Sequence, residues 1–209
     1  MNKEKIKKIS IITIAIMITI VIANMFTVNH NQLELTQLQA NSHRQMMGYI
    51  MKTSDEKVIV IDGGTAEDTD NLLKHIKRLG NKIDVWFITH PHSDHAGAFI
   101  KIIQEQNIPI EKVYYTMNIE WYKQYASERA YEAEDFYKAL HNEKLNGKIE
   151  EVQLNQKIQI DFIDCEILGI KNPEITEDGF NNSSMVIKMN LPETSILFLG
   201  DTGALSGDK

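Results

Sequence analysis

Apolar positions along this chain fall into two regimes. The first is an unbroken run from Ile9 to Val28 that contains no charged residue and follows Lys3, Lys5, Lys7 and Lys8. Twenty residues of helix rise about 30 Å, the thickness of a bilayer's hydrocarbon core. The pattern predicts a basic cytoplasmic tail over 1–8 and a single-pass membrane anchor over 9–28, with the remainder of the chain outside the cell. A signal segment removed on export, giving a secreted protein, is the alternative. Against it, the run is long for a signal's apolar core and no clear Ala-x-Ala site comes after it. Residues 29–43, with Asn, Gln, Thr and Ser, read as a polar spacer.

The second regime begins near residue 44, where short apolar stretches alternate with amphipathic ones. Met46 to Met51 reads as a strand, and Lys57 to Ile61 is a β-branched run ending at Asp62-Gly63-Gly64. Leu72, Leu73, Ile76 and Leu79 recur at helical spacing before Gly80, a helix stop. Ile83 to Thr89 reads as a buried strand that runs straight into His90. A helix capped by Ser93 or Asp94 comes next, with Phe99, Ile100, Ile102 and Ile103 on it. Val113 to Thr116 is a short strand, and Glu120 to Leu145 reads as one charge-rich helix. Thereafter strands are expected at 149–154, 157–162, 163–170, 184–190 and 195–200, with a loop from Lys171 to Asn182. Alternating strands and helices succeeded by a run of strands imply α/β layering with two sheets face to face.

Composition adds bounds. The 209 residues suffice for one core, and 43% hydrophobic with 24% charged residues is ordinary for a globular chain. A net charge of −7 speaks weakly against a broad nucleic-acid-binding face, although bound metal can supply local positive charge. Cys165 is the lone cysteine, so no intramolecular disulfide forms, and its position in a strand reads as core.

The chemistry concentrates in His90-Pro91-His92-Ser93-Asp94-His95. Two imidazoles at i and i+2, then a carboxylate and an imidazole at i+4 and i+5, place four metal-ligand groups at the end of a strand. Such donors suit zinc, manganese or iron without a thiolate. A turn there can aim the first pair at one ion and the second pair at a neighbour. A polar loop whose histidines meet solvent is the plainer reading, and three histidines plus an aspartate in this order speak against it. His30, His43 and His141 lack ligand spacing, and His75, on a helix between Leu72 and Leu79, reads as a surface or boundary histidine. Trp121, Tyr122, Tyr125 and Tyr131 at helical spacing read as packing residues, with an aromatic cage for a choline-type cation as the rival.

In these residues the chain resembles the metallo-β-lactamase superfamily over roughly residues 44–203. His90, His92, Asp94 and His95 match its histidine motif, and Asp62 matches the aspartate that braces the metal loop from behind. Asp201, closing Ile196-Leu197-Phe198-Leu199-Gly200-Asp201, matches the aspartate that bridges two metals. The resemblance implies an αββα sandwich of the metallo-β-lactamase type over 44–209. It also implies two divalent ions, with zinc expected and manganese or iron as alternatives. His90, His92 and Asp201 would hold one ion, and Asp94, His95 and Asp201 the other, with Asp94 also catalytic.

No histidine comes after His141, so the family's third histidine and its last one are absent, and the sandwich is expected to be incomplete at the C-terminus. Asn181-Asn182-Ser183-Ser184 stands where the third histidine would be. That resembles the branch of bacterial DNA-uptake channel domains and phosphorylcholine esterases, which act on phosphodiesters. Asn182 and Ser184 are the polar residues expected near the metals. The resemblance thus implies hydrolysis by a metal-bound hydroxide of a phosphodiester, either a small molecule, a cell-envelope component or DNA. A lactone or thioester hydrolase, and a non-catalytic metal-binding remnant, are the alternatives.

Overall fold

In the computed structural model the described residues are 13–14, 16–19, 31–41, 43–125 and 127–203. Residues 1–32 and 33–209 form two units. The expected anchor lies in the first unit and largely outside the described residues. Thr13, Ile14 and Ile16 to Thr19 are helical, and among the described residues no helix is long and apolar enough to cross a membrane.

In the second unit, ten strands among the described residues build two sheets. The first joins β1 (Leu33–Gln37), β2 (Gly48–Thr53), β3 (Val58–Asp62), β4 (Ile83–Ile88), β5 (Ile110–Tyr115) and β6 (Ile149–Glu151) in that spatial order. β1 to β3 are antiparallel, whereas β3 to β6 are parallel. β3 and β4 are buried at every position, which a parallel strand covered on both faces requires. Val58, Val60, Trp86 and Ile88 enter the core shared with the helices. Ile59, Ile61, Val85 and Phe87 enter the core shared with the second sheet. That sheet is antiparallel, ordered β10 (Ser195–Phe198), β9 (Val186–Asn190), β8 (Ile163–Gly169) and β7 (Lys157–Ile160).

Helices α1 (Thr69–Arg78), α2 (Ser93–Glu105), α3 (Ile119–Tyr125) and α4 (Ala130–Leu140) lie against the first sheet, and α5 (Gly179–Asn182) is a single turn before β9. Among the described residues the layers are therefore helices, sheet, sheet. On the second sheet's outer face Leu168 and Leu197 are exposed.

Three expectations change in detail. The stretch read as spacer contains β1, whose five residues pair with β2 from Leu33↔Thr53 to Gln37↔Tyr49. The strand expected at Met46–Met51 is shifted to Gly48–Thr53. The long helix over Glu120–Leu145 is divided into α3, a 3-10 turn over Ser127–Arg129, α4, and a second turn over Glu143–Leu145. The division lets Tyr122 stack on Phe180, with Trp121 edge-on to Tyr122, while Phe136 packs on Phe99. Trp121 and Tyr122 are both buried, so these two rings fill the interior and form no open cage. Tyr131 is exposed. Cys165 is buried, as expected of a core thiol.

Candidate metal centre

The site forms where two parallel strands end side by side. β3 and β4 run in register with Ile61 opposite Phe87, so Asp62 and the Thr89-His90 step emerge at one edge, the place where open α/β sheets present ligands. Asp62 is fully buried and sits in the left-handed region at φ 54°. For an aspartate that conformation is tolerable but strained, and such strain persists where surroundings fix it. The surroundings here are specific. Thr89 donates its amide to Asp62 Oδ1 and its hydroxyl to Oδ2, each at 2.8 Å. His95 Nδ1 lies 2.8 Å from the same Oδ2. Trp86 Nε1 donates to the Asp62 carbonyl at 2.8 Å. Asp62 thus braces the loop from behind.

The hydroxyl of Thr89 has one proton, and Asp62 takes it. Its oxygen, 3.1 Å from His90 Nδ1, is left to accept from that ring. Ser184 Oγ lies 3.1 Å from the same nitrogen. His90 Nε2 is then a free lone pair, and it faces His92 Nδ1 at 3.1 Å. Two nitrogens each about 2.0–2.1 Å from a tetrahedral zinc lie roughly 3.3–3.4 Å apart, so this separation fits two ligands of one ion. Burial, then His95 and His92, hold the pKa of His90 well below the ordinary value, which keeps the ring in the neutral form that binds metals. Burial and the Arg129 charge also lower the pKa of His92, against Glu132 and Asp94.

Helix α2 begins at Ser93, and its first turn presents Asp94 and His95 on the same side. His95 Nε2 is 3.3 Å from Asp201 Oδ1 and 3.8 Å from Asp94 Oδ2. Burial alone would lower the pKa of His95, but Asp62 and Asp201 raise it to about 10. An imidazolium wedged between carboxylates marks a place where a divalent cation can replace the Nε2 proton. The Asp201 carboxyl is held below its usual range by the His95 hydrogen bond. Donor atoms of His90, His95 and Asp201 all lie within 4.8 Å of one another.

Asp201 reaches the site by a turn at Gly200, φ 56°, where a Cβ would stand 2.7 Å from the Ser184 Cβ. The Asp201 amide donates to Ser184 Oγ at 3.2 Å, and Met185 N donates to the Thr89 carbonyl at 2.8 Å. Ser184 therefore ties the second sheet to both His90 and Asp201. Asn182 behaves differently: its Oδ1 accepts from Gly203 N at 2.9 Å and its Nδ2 donates to the Glu177 carbonyl. Its side chain fastens the chain beyond Asp201. Both Asn182 and Ser184 also line a cavity of about 540 Å³ between Lys171 and Thr202.

Of the predicted residues, His90, His92, Asp94, His95, Asp201 and Asp62 are thus brought together with Ser184 against His90, whereas the Asn182 side chain is bonded to Glu177 and Gly203 instead. Sequence reasoning missed Glu132, Arg129 and Phe180. The Phe180 ring stacks on His92 at 4.8 Å between centroids. Glu132 Oε2 lies 4.0 Å from His92 Nε2, with both side chains buried. A signal for Glu132 existed. It stands on the same helical stripe as Ala133, Phe136, Ala139 and Leu140, all buried, where a charge needs a reason.

Residues 48–208 match the family model described as the metallo-beta-lactamase superfamily. The chain belongs to that superfamily. A search of curated proteins finds no significant match. Among solved structures it resembles a metallo-beta-lactamase from Staphylococcus aureus at 15% identity and a TM-score of 0.51, covering 81% of this chain and 43% of that one. A motif mutant of the metallo-beta-lactamase from Cronobacter sakazakii is similar at 15% identity and a TM-score of 0.51, with 80% and 63% covered. The metallo-beta-lactamase fold protein YhfI from Bacillus subtilis is similar at 12% identity and a TM-score of 0.49, with 80% and 62% covered. This chain spans between two fifths and two thirds of the length of these three structures. At such identities the likeness speaks to fold alone. Members of this superfamily usually bind metal ions, and the histidine-rich site fits one.

Proposed function

We propose that this protein is a metal-dependent hydrolase acting on phosphodiesters, with its centre at His90, His92, Asp94, His95 and Asp201. The observation that carries the reading is the convergence of buried ring nitrogens and two carboxylates: His90 Nε2 lies 3.1 Å from His92 Nδ1, and His95 Nε2 lies 3.3 Å from Asp201 Oδ1 and 3.8 Å from Asp94 Oδ2. His90, His92 and Asp201 would hold one divalent ion, and Asp94, His95 and Asp201 the second, zinc being the expected metal. Two such ions supply a nucleophile at neutral pH and clamp the attacking and leaving oxygens of a displacement.

The chain's own groups do the rest. Asp62 fixes His95 through Nδ1, so that Nε2 points inward. Asp94 and Asp201, with side chains 20% and 19% exposed, are both open to an incoming water, and Asp94 can orient it. Ser184, where a third imidazole would stand, holds His90 through Nδ1 and Asp201 through its amide, so that both keep their places at the centre. The neighbouring cavity, with Leu168, Ile170, Ile175 and Asn172 among its walls, suits a substrate that is partly apolar. The lysine-flanked uncharged run over 9–28 supports tethering to the cell membrane with the hydrolase domain outside, so an envelope phosphodiester is favoured over DNA.

The test is turnover of bis-p-nitrophenyl phosphate by the zinc- or manganese-loaded protein, beside a lactone and a thioester of similar size. Phosphodiester hydrolysis that falls at least a hundredfold in His92→Ala is expected, roughly 3 kcal/mol of barrier. Faster turnover of the lactone or thioester would assign the other substrate class.

A further inference from the structure

One buried carboxylate near the centre has no role in the family motif. Glu132 stands in the first turn of α4, and its side chain is 3% exposed. Its Oε1 accepts from Arg129 Nη2 at 2.9 Å and from the Tyr131 hydroxyl at 3.3 Å. Its Oε2 is buried without a hydrogen-bond partner and lies 4.0 Å from His92 Nε2, about 1 Å beyond a hydrogen bond. A carboxylate oxygen withdrawn from water without a partner is costly to fold around, so its position calls for a group that it serves.

His92 is that group. Its Nδ1 faces His90, and its ring plane is fixed by Phe180, which Tyr122 backs in turn at 4.2 Å and an interplanar angle of 6°. With Nδ1 on the metal side, Nε2 points at Glu132. A ligand histidine whose outer N–H meets a carboxylate has its tautomer and ring orientation set, and donates more strongly. We propose that Glu132 is the positioning residue of His92, accepting from its Nε2–H and so presenting the Nδ1 lone pair to the metal. Arg129 and Tyr131 hold the carboxylate in place. α4 thereby contributes to a centre whose ligands all come from other elements.

The inference rests on the metal reading, and one experiment separates the two. Wild-type protein, Glu132→Gln and Arg129→Gln are freed of metal and their thermal unfolding is recorded. Each is then titrated with cobalt(II), read by its visible absorption, and with zinc against a chromophoric chelator. Glu132→Gln, melting cooperatively without metal, is expected to bind about 10–100-fold more weakly with shifted cobalt bands. Arg129→Gln, altered at a side chain 45% exposed, should show a smaller loss in the same direction. Tight wild-type binding with unchanged affinity and bands in Glu132→Gln overturns the inference and leaves the metal reading standing. If Glu132→Gln does not fold, Arg129→Gln decides: weaker binding with a band shift supports the inference, and wild-type behaviour overturns it. A wild-type chain that binds neither metal overturns both.

Discussion

Strand β4 contains one charged residue, Asp84, and its handling shows how this protein accommodates a buried carboxylate where no ligand is involved. The side chain is 6% exposed, yet Lys82 Nζ lies 2.7 Å away, Lys57 Nζ 3.0 Å, and the Val58 amide donates at 2.9 Å. Burial raises its pKa, but the hydrogen bonds from Lys82, Val58 and Lys57 outweigh it and hold the carboxyl below its ordinary value. A depressed carboxyl stabilises the fold above its unfolded value near 3.9, and that stabilisation is lost as pH falls through the folded value. Asp84→Asn is expected to destabilise by about 1–3 kcal/mol at pH 7, the difference from wild type closing as urea unfolding is repeated below pH 4. An undiminished difference down to pH 3 would contradict this.

At the same scale, the centre was readable wherever spacing itself encodes the chemistry. His90, His92, Asp94 and His95 lie within six residues, so the strand end alone gathers them. Asp62 and Asp201 needed the family pattern to be chosen among many aspartates at turns. Glu132, which lies near His92 across 40 positions of sequence, was marked only by its place on an apolar helical stripe, and the expectation of one long charge-rich helix obscured that mark.

At the scale of elements, α2 decides where Asp94 and His95 stand, and Gly97 decides where α2 stands. A Cβ at Gly97 would lie 2.7 Å from Ala66 N and 3.0 Å from Thr65 backbone atoms, which belong to the 3-10 turn over Ala66–Asp68 and its capping residue. Alanine gains about 1 kcal/mol in helix propensity, but backbone cannot yield as a flexible side chain can. Gly97→Ala is therefore expected to lose a net 1–3 kcal/mol of stability, roughly the cost of overpacking, and to weaken zinc binding by displacing His95. A variant as stable as wild type with unaltered zinc affinity would show that α2 is free to shift.

Periodicity gave the elements that are long or uniformly buried, β3, β4, α1 and α2. It failed where context decides. β1, with exposed Leu35, is a strand because β2 offers it an edge. The break between α3 and α4 arises from two packing partners in different directions, which a charge-rich pattern does not record.

At the scale of the molecule, the two cores on either face of the first sheet hold both walls of the centre. The helix side brings His92, His95 and Glu132, and the second sheet brings Ser184 and Asp201. The α/β layering was legible from alternating strands and helices, while the strand order was not, since pairing depends on which edges meet in space. An ion held by these residues would tie the two walls together and stabilise the fold by mass action.

The most direct measurement is the metal content of purified wild-type protein after dialysis against zinc, by elemental analysis, beside His90→Ala/His95→Ala. The account predicts about two ions per chain, lost in the double variant together with the metal-dependent rise in melting temperature. A wild-type chain that retains no zinc, or a double variant that retains as much as wild type, would contradict it.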